Sequence, residues 1–271
     1  MGLSVVGRFK TVSVGWEGHT MSVQDKVCII TGGGSGIGRS AALMLAQQGA
    51  KIALVGRTAS KVEVVRDEIT ASGGEAIAFG LNVADIDRVR DMTKQTLDTY
   101  GRIDVLVNNA GHSSQHRRIL TTPPEEIRAV IDSNLVGMMY CTQATLPTML
   151  EAGEGTVLNV ASMAGVSTSY LGGMIYSTVK AAVIHFTKFL TFELHNTGVR
   201  ASVLIPGEVD TPIMDNRPIP PSAEDRTTMI GVEECAEALV MMVGLPKRST
   251  ITELIMKPTM MRAASETADF P

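Results

Sequence analysis

The chain is poor in aromatic residues, with six Phe, four Tyr and one Trp among 271 residues. It has only three cysteines, Cys28, Cys141 and Cys235, widely spaced and without a CxxC pair. An odd and scattered set argues against a disulfide framework and a cysteine zinc site, and fits a reducing, cytoplasmic setting. No basic run stands out, and 24 Lys and Arg against 28 Asp and Glu leave a net charge of −4. That balance argues against nucleic acid as the main partner. No stretch approaches the roughly 18 consecutive apolar residues of a membrane span. No His, Asp or Glu cluster has the spacing of a metal site, so no metal is expected.

What is present is core-forming material. Hydrophobic residues make up 44% of the chain and charged residues 19%, which supports a large packed core rather than disorder. Gly (26) and Met (16) are plentiful, as expected where helices pack closely on a sheet. Residues 25–260 are expected to form one domain. Residues 1–24 are expected to be a poorly ordered tail with no assigned function, and 261–271 a C-terminal tail.

Short apolar runs alternate with longer periodic segments. Strands are expected at 27–31, 51–55, 76–80, 103–108, 155–162 and 199–206, with a seventh at 252–256. Helices are expected from about Ile37 to Gly49, Ser60 to Ala71, Asp85 (as cap) to Thr99, 124 to 151, and Ile175 to Leu194. Apolar strands without polar alternation indicate a sheet covered on both faces. The fold class is therefore α/β: a doubly wound, Rossmann-type, mostly parallel sheet of about seven strands. The Pro-rich stretch 211–231 has no clear period and is expected to be a substrate lid.

The first strand runs into Thr31-Gly32-Gly33-Gly34-Ser35-Gly36-Ile37-Gly38. Gly36-Ile37-Gly38-Arg39-Ser40-Ala41 satisfies the G-x-G-x-x-A variant of the dinucleotide fingerprint. Glycines let a pyrophosphate approach the backbone, and the helix N-terminus behind them offers free N–H groups and a positive dipole end. An acidic residue about 20 positions on would bind the ribose 2′-OH of NAD. Here the second strand ends Val55-Gly56-Arg57, with a guanidinium in place of the carboxylate. Arg57 suits a 2′-phosphate, which favours NADP(H), with NAD(H) as the alternative.

Tyr176-Ser177-Thr178-Val179-Lys180 falls on the helix after strand five, with Tyr176 and Lys180 four apart and so on one face. Taken alone, the pair equally describes two unrelated surface residues. Ser162 lies ahead of it at the carboxyl edge of the sheet, where doubly wound folds bind ligands. A tyrosine hydroxyl can supply the proton that a carbonyl needs on taking a hydride. Moving its pKa from about 10 to about 7 requires about 4 kcal/mol, which one ammonium about 4 Å away supplies at an effective dielectric near 20. Lys180 is therefore expected to acidify Tyr176, and Ser162 to steady the developing alkoxide.

The ordered set TGGGSGIG (31–38), NNAG (108–111), Asn134, Ser162, YSTVK (176–180) and PGEVDT (206–211) resembles the classical short-chain dehydrogenase/reductase family, over about Lys26 to Met256. The resemblance implies Tyr176 as general acid/base and Lys180 as a further ligand of the nicotinamide ribose. It implies that Asn134 holds a water linking Lys180 to solvent; read alone, Asn134 is a polar residue that bends its helix. It implies cofactor contacts at Gly32, Ser35, Gly36, Ile37, Gly38, Asn82, Val83, Asn109, Ala110, Gly111, Pro206, Gly207, Val209 and Thr211. It also implies a homotetramer or homodimer formed through the helices at 124–151 and 175–194. Ser162 and Tyr176 are 14 apart, one residue more than the commoner spacing, which puts the loop at Gly172-Gly173 in question as a pocket wall.

The expected activity is hydride transfer between NADP(H) and a secondary alcohol or ketone. Met163, Met174, Ile213 and Met214 would form an apolar pocket wall for a small-molecule substrate. An NAD-dependent enzyme of the same fold and a non-catalytic nucleotide-binding regulator are the alternatives. The regulator predicts erosion of the catalytic set, yet Asn134, Ser162, Tyr176 and Lys180 are all intact.

Overall fold

The computed structural model describes residues 21–260. The tail expectations for 1–20 and 261–271 lie outside the described residues. Residues 21–24, read from sequence as tail, pack on the domain: Ser22 N–H donates to the Gly244 carbonyl and Val23 is 2% exposed.

The elements run β1 (Val27–Thr31), α1 (Gly36–Gln47), β2 (Lys51–Gly56), α2 (Ala59–Ala71), β3 (Glu75–Gly80), α3 (Ile86–Tyr100), β4 (Val105–Asn108), α4 (Pro124–Ile131), α5 (Gly137–Ala152), β5 (Gly155–Val160), α6 (Met174–Glu193), β6 (Val199–Pro206), α7 (Ala223–Arg226), α8 (Val232–Gly244) and β7 (Glu253–Met256). The seven strands form one sheet in the order β3-β2-β1-β4-β5-β6-β7, with every pairing parallel.

Side chains alternate across each strand, so successive residues enter different cores. Cys28 and Ile30 of β1 join Ala41, Leu45, Val62 and Leu239 on the face covered by α1, α2 and α8. Ile29 between them joins Val89, Met92, Cys141, Met149 and Leu190 on the face covered by α3, α5 and α6. Both neighbours of each strand residue are therefore apolar, which is why β1 reads as an unbroken apolar run.

Three local differences from the sequence reading have physical causes. Strand five ends at Val160, not Ser162; Ser162 instead caps a single 3-10 turn (Met163–Gly165), its hydroxyl accepting from Ala164 N–H at 3.2 Å. The helix expected over 124–151 is interrupted by a π-helical turn at Asp132–Val136, which carries Asn134. Helix α8 was not anticipated, although buried Cys235, Ala236, Leu239, Met242 and Val243 follow a helical period. Asp85 caps α3 as expected, accepting from Arg88 N–H at 3.2 Å.

The 211–231 stretch is built rather than irregular. It holds a 3-10 turn (Met214–Asn216) and α7, whose Ser222 and Asp225 form a capping box. Arg226 pairs with both Asp210 and Asp215, and a bridge joins Val209 to Ile230.

The connections from β1 lead outward through β2 to β3, and those from β4 lead the other way through β5 to β7. The strand order therefore reverses between β1 and β4, and a crevice opens there at the carboxyl ends of the strands. No helix among the described residues is long and apolar enough to cross a membrane, and no three His, Cys, Asp or Glu side chains converge to hold a metal.

Candidate active site

The crevice between β1 and β4 is held to a fixed width. Asn109, just past β4, donates from its backbone N–H to Thr31 Oγ1 at 3.0 Å and from its side-chain amide to the Thr31 carbonyl at 3.1 Å. Ala110 N–H donates to the same Thr31 hydroxyl at 3.0 Å. The Asn109 amide occupies the space that a Cβ at Gly32 or Gly38 would need, at 2.7 and 2.5 Å. Asn109 thus acts as a staple between the glycine loop and β4.

Gly36 opens α1 at φ +53°, and a Cβ there would meet Thr211 at 3.4 Å. The glycine loop therefore faces the start of the 211–231 strap across a narrow gap. Ser35 is the cap residue of α1 in extended conformation, and its side chain makes no capping bond. The first-turn N–H groups of Gly36, Ile37 and Gly38 are left without that local acceptor, as an anion site at a helix N-terminus requires. These features fit a dinucleotide pyrophosphate. Pro206 ends β6, and Gly207 N–H beyond it donates to the Met256 carbonyl at 2.8 Å.

Arg57 is exposed at the end of β2. His112 has its pKa lowered by burial and then by the Arg57 charge, so the guanidinium is felt across the crevice mouth. Two expected cofactor contacts have other local tasks. Asn82 uses its side-chain carbonyl to accept from Ala84 N–H at 3.1 Å, and Val83 is buried in the core against Gly137.

Ser162, Tyr176 and Lys180 are brought together, and Asn134 lies on the π-helical turn that packs against α6. Tyr176 and Lys180 lie one turn apart near the start of α6, and Lys180 Nζ sits over the Tyr176 ring at 5.5 Å from its centre. Ser162 acts on the Tyr176 phenol as a hydrogen-bond partner. Asn134 is 2% exposed; its amide nitrogen donates to the carbonyls of His112 (2.9 Å) and Val130 (3.0 Å). Its Oδ1 is buried without a partner among the described residues, beside Gly111, where a Cβ would collide with it. Asn134 therefore satisfies a helix carbonyl, and also presents a polar atom suited to a bound water.

The electrostatics correct one expectation. Burial raises the Tyr176 pKa, and the Ser162 hydrogen bond and the charges of Arg217 and Arg117 only partly oppose it. Burial prevails although the Lys180 ammonium, which donates to the Val160 carbonyl at 3.0 Å, lies over the ring at 5.5 Å from its centre, where a positive charge favours the phenolate. Burial lowers the Lys180 pKa to about 8.

Several residues of this region are not among the expected site residues. Asn108 donates to Thr142 Oγ1 (3.1 Å) and Asn159 Oδ1 (2.9 Å), and Asn159 donates to Thr187 Oγ1 (2.9 Å), joining β4, β5, α5 and α6 behind the site. Glu126 organises the loop after β4: its carboxylate accepts from Ser114 Oγ and the N–H groups of Gln115 and His116, and contacts His116 Nδ1 at 2.7 Å. Burial alone would raise its pKa, but these hydrogen bonds outweigh burial and hold it at about 2.

A folded-state pKa below the ordinary carboxylate value contributes stability above that value, and the contribution is lost as pH falls toward 2. Glu126→Gln keeps one acceptor but turns an amide toward the donors, and should cost about 1–3 kcal/mol at pH 7. In urea unfolding, the gap between the two proteins should close as pH drops from about 4.5 to about 2. A gap unchanged across that interval would rule out the carboxylate as its source.

Comparison with known proteins agrees with this geometry. Residues 26–220 match the family described as short chain dehydrogenase. A 3-oxoacyl-[acyl-carrier-protein] reductase of Synechocystis is 41% identical over 192 residues, covering 70% of this chain and 77% of that protein. The crystal structure of a metagenomic short-chain oxidoreductase in complex with NADP superposes with TM-score 0.75 at 28% identity, covering 89% of this chain and 99% of that one. A 3-ketoacyl-(acyl-carrier-protein) reductase from Brucella melitensis, complexed with NADH, superposes with TM-score 0.79 at 29% identity, covering 88% and 99%. With a dinucleotide crevice at the sheet's reversal point and this match across most of its length, the chain belongs to the short-chain dehydrogenase/reductase family of oxidoreductases.

Proposed function

We propose that the protein is an NADP(H)-dependent oxidoreductase that interconverts a ketone and a secondary alcohol, with Tyr176 as the proton donor and acceptor. The observation that carries the reading is the Tyr176 phenol itself, half-buried beside Ser162 and Lys180 near the start of α6. A nicotinamide dinucleotide, when bound, supplies or accepts the hydride. Gly32, Ser35, Gly36, Ile37 and Gly38 would hold its pyrophosphate, Arg57 its 2′-phosphate, and Lys180 its nicotinamide ribose. The substrate oxygen would sit between the Ser162 hydroxyl and the Tyr176 phenol. In reduction the phenol O–H bond breaks and its proton passes to the oxygen as the carbonyl carbon takes the hydride; oxidation runs the same path in reverse. The raised phenol pKa keeps that proton in place at neutral pH, which favours reduction. The Asn134 Oδ1 would hold the water through which the phenol is reprotonated by way of Lys180.

The preference for NADP(H) rests on Arg57 and on the absence of a carboxylate at the end of β2. Exposed Phe189 and Phe192 on α6 and Leu150 on α5 support a homo-oligomer formed through these helices, and three buried free cysteines suit a cytoplasmic enzyme.

A panel of ketones assayed by NADPH absorbance should reveal turnover that NADH supports less well. No oxidation of either cofactor with any ketone would defeat the reading. Because the Lys180 ammonium is needed in its charged form, kcat/KM for reduction should fall as pH rises through about 8. A profile that stays flat to pH about 9.5 would remove Lys180 from the proton path.

A further inference from the structure

Arg117 lies in the loop after β4, in the charged stretch His116-Arg117-Arg118, where a solvated arginine would be expected. It is instead 1% exposed, among the largest fully buried side chains. One end of its guanidinium is fastened: Nη1 donates to Ser113 Oγ and to the Gly172 carbonyl, each at 2.9 Å. The other edge, Nε and Nη2, makes no hydrogen bond among the described residues. That edge is the fork by which arginine grips a carboxylate. The chain uses it so elsewhere: Arg66 holds Asp67, and Arg102 holds Asp104, through Nε and Nη2.

The loop is fitted around this side chain. Gly173 packs so close that a Cβ would lie 2.6 Å from Arg117 Cδ, and Met174 N–H, at the start of the Tyr176 helix, donates to the Arg117 carbonyl at 3.1 Å. The Gly172-Gly173 loop thus packs around Arg117. A second cation, Arg217 on the 211–231 strap, is felt by both Arg117 and the Tyr176 phenol. Arg217 has its own counterion in Glu208 at 2.7 Å. The carboxylate acting on Arg117, Glu126, is committed to Ser114, Gln115 and His116. Burial lowers the Arg117 pKa only to about 10, so the group stays charged at neutral pH. A buried cation with an unsatisfied fork is costly unless an anion completes it.

We infer that the substrate carries a carboxylate, an oxo acid on the ketone side and a hydroxy acid on the alcohol side, and that the Nε–Nη2 edge of Arg117 grips it. The inference rests on Tyr176 marking the reacting end of the site, as proposed above. It gives the apolar wall expected from Met163, Met174, Ile213 and Met214 a charged end, and predicts that a free acid is preferred over its neutral ester or thioester.

The test separates binding from turnover. The full-length Tyr176→Phe protein loaded with NADPH is titrated by calorimetry with 2-oxobutanoate, 3-oxobutanoate and 4-oxopentanoate, each beside its methyl ester, and with the N-acetylcysteamine thioester of 3-oxobutanoate. At least one acid should bind about 10- to 100-fold more tightly than its ester. Adding Arg117→Met should collapse that ratio toward one, and Arg117→Lys, which keeps the charge but not the fork, should recover part of it. Esters or the thioester binding as tightly as every acid would overturn the inference, and this arm needs no folded Arg117 variant. An acid preference that survives Arg117→Met would overturn it too, as would a loss of NADPH affinity in that variant equal to the loss for the acid, which would assign the fork to the cofactor. Turnover by the unaltered enzyme is read separately: acid-selective binding without reduction would defeat the proposed reaction and leave the carboxylate site standing.

Discussion

Replacing Tyr176 with Phe is expected to lower kcat/KM for carbonyl reduction by about 10²–10⁴-fold, the usual contribution of a positioned general acid. The substitution removes one hydroxyl and keeps the ring over which Lys180 Nζ sits at 5.5 Å, so the packing at the start of α6 should persist. Ser162 would lose a hydrogen-bond partner but keep the Ala164 N–H that it accepts at 3.2 Å. NADPH affinity, followed by fluorescence titration, should change by less than about threefold, since only a fraction of 1 kcal/mol is at stake where no charge is removed. A non-catalytic regulator would show no change in its own activity. Retained reduction in a properly folded Tyr176→Phe protein would mean that the proton comes from elsewhere.

Exchanging Arg57 for Asp should reverse the cofactor preference. Arg57 stands exposed at the end of β2, and no carboxylate precedes it on that strand. A guanidinium on a phosphate makes charge-assisted bonds worth about 1.5–3 kcal/mol, so their loss alone weakens NADPH about 10- to 100-fold. The introduced carboxylate adds repulsion toward a 2′-phosphate and offers an acceptor to a 2′-hydroxyl. NADH affinity should therefore hold or improve while NADPH affinity falls. The same change should raise the His112 pKa, because the Arg57 charge is one of the influences that depress it. An equal or larger fall for NADH would show that Arg57 supports the loop and not the phosphate.

The distribution of charge around the phenol shows how far sequence reasoning carries. Spacing correctly places Tyr176 and Lys180 on one helix face, since four residues make about one turn. It does not say which way the lysine reaches. In the folded chain the ammonium finds the Val160 carbonyl on the neighbouring strand, and further charges that bear on the phenol come from Arg117 and Arg217, 59 residues upstream and 41 downstream of it. A bend at Asn134 is legible in the same way, from Asp132-Ser133-Asn134 as weak helix formers, but its form as a π-helical turn, with the Asn134 side chain reaching back to the Val130 and His112 carbonyls, is not.

Local and short-range information determined the sheet, the helices on its faces and the glycine loop. Apolar periodicity is a property of neighbouring residues, and a strand buried on both sides has to be apolar throughout. Only the tertiary structure decided which charges end up buried together. Arg117 reads as one cation in a polar loop until Gly172 and Gly173, more than 50 residues on, pack against it, and its desolvation depends on segments that meet only when the chain is folded.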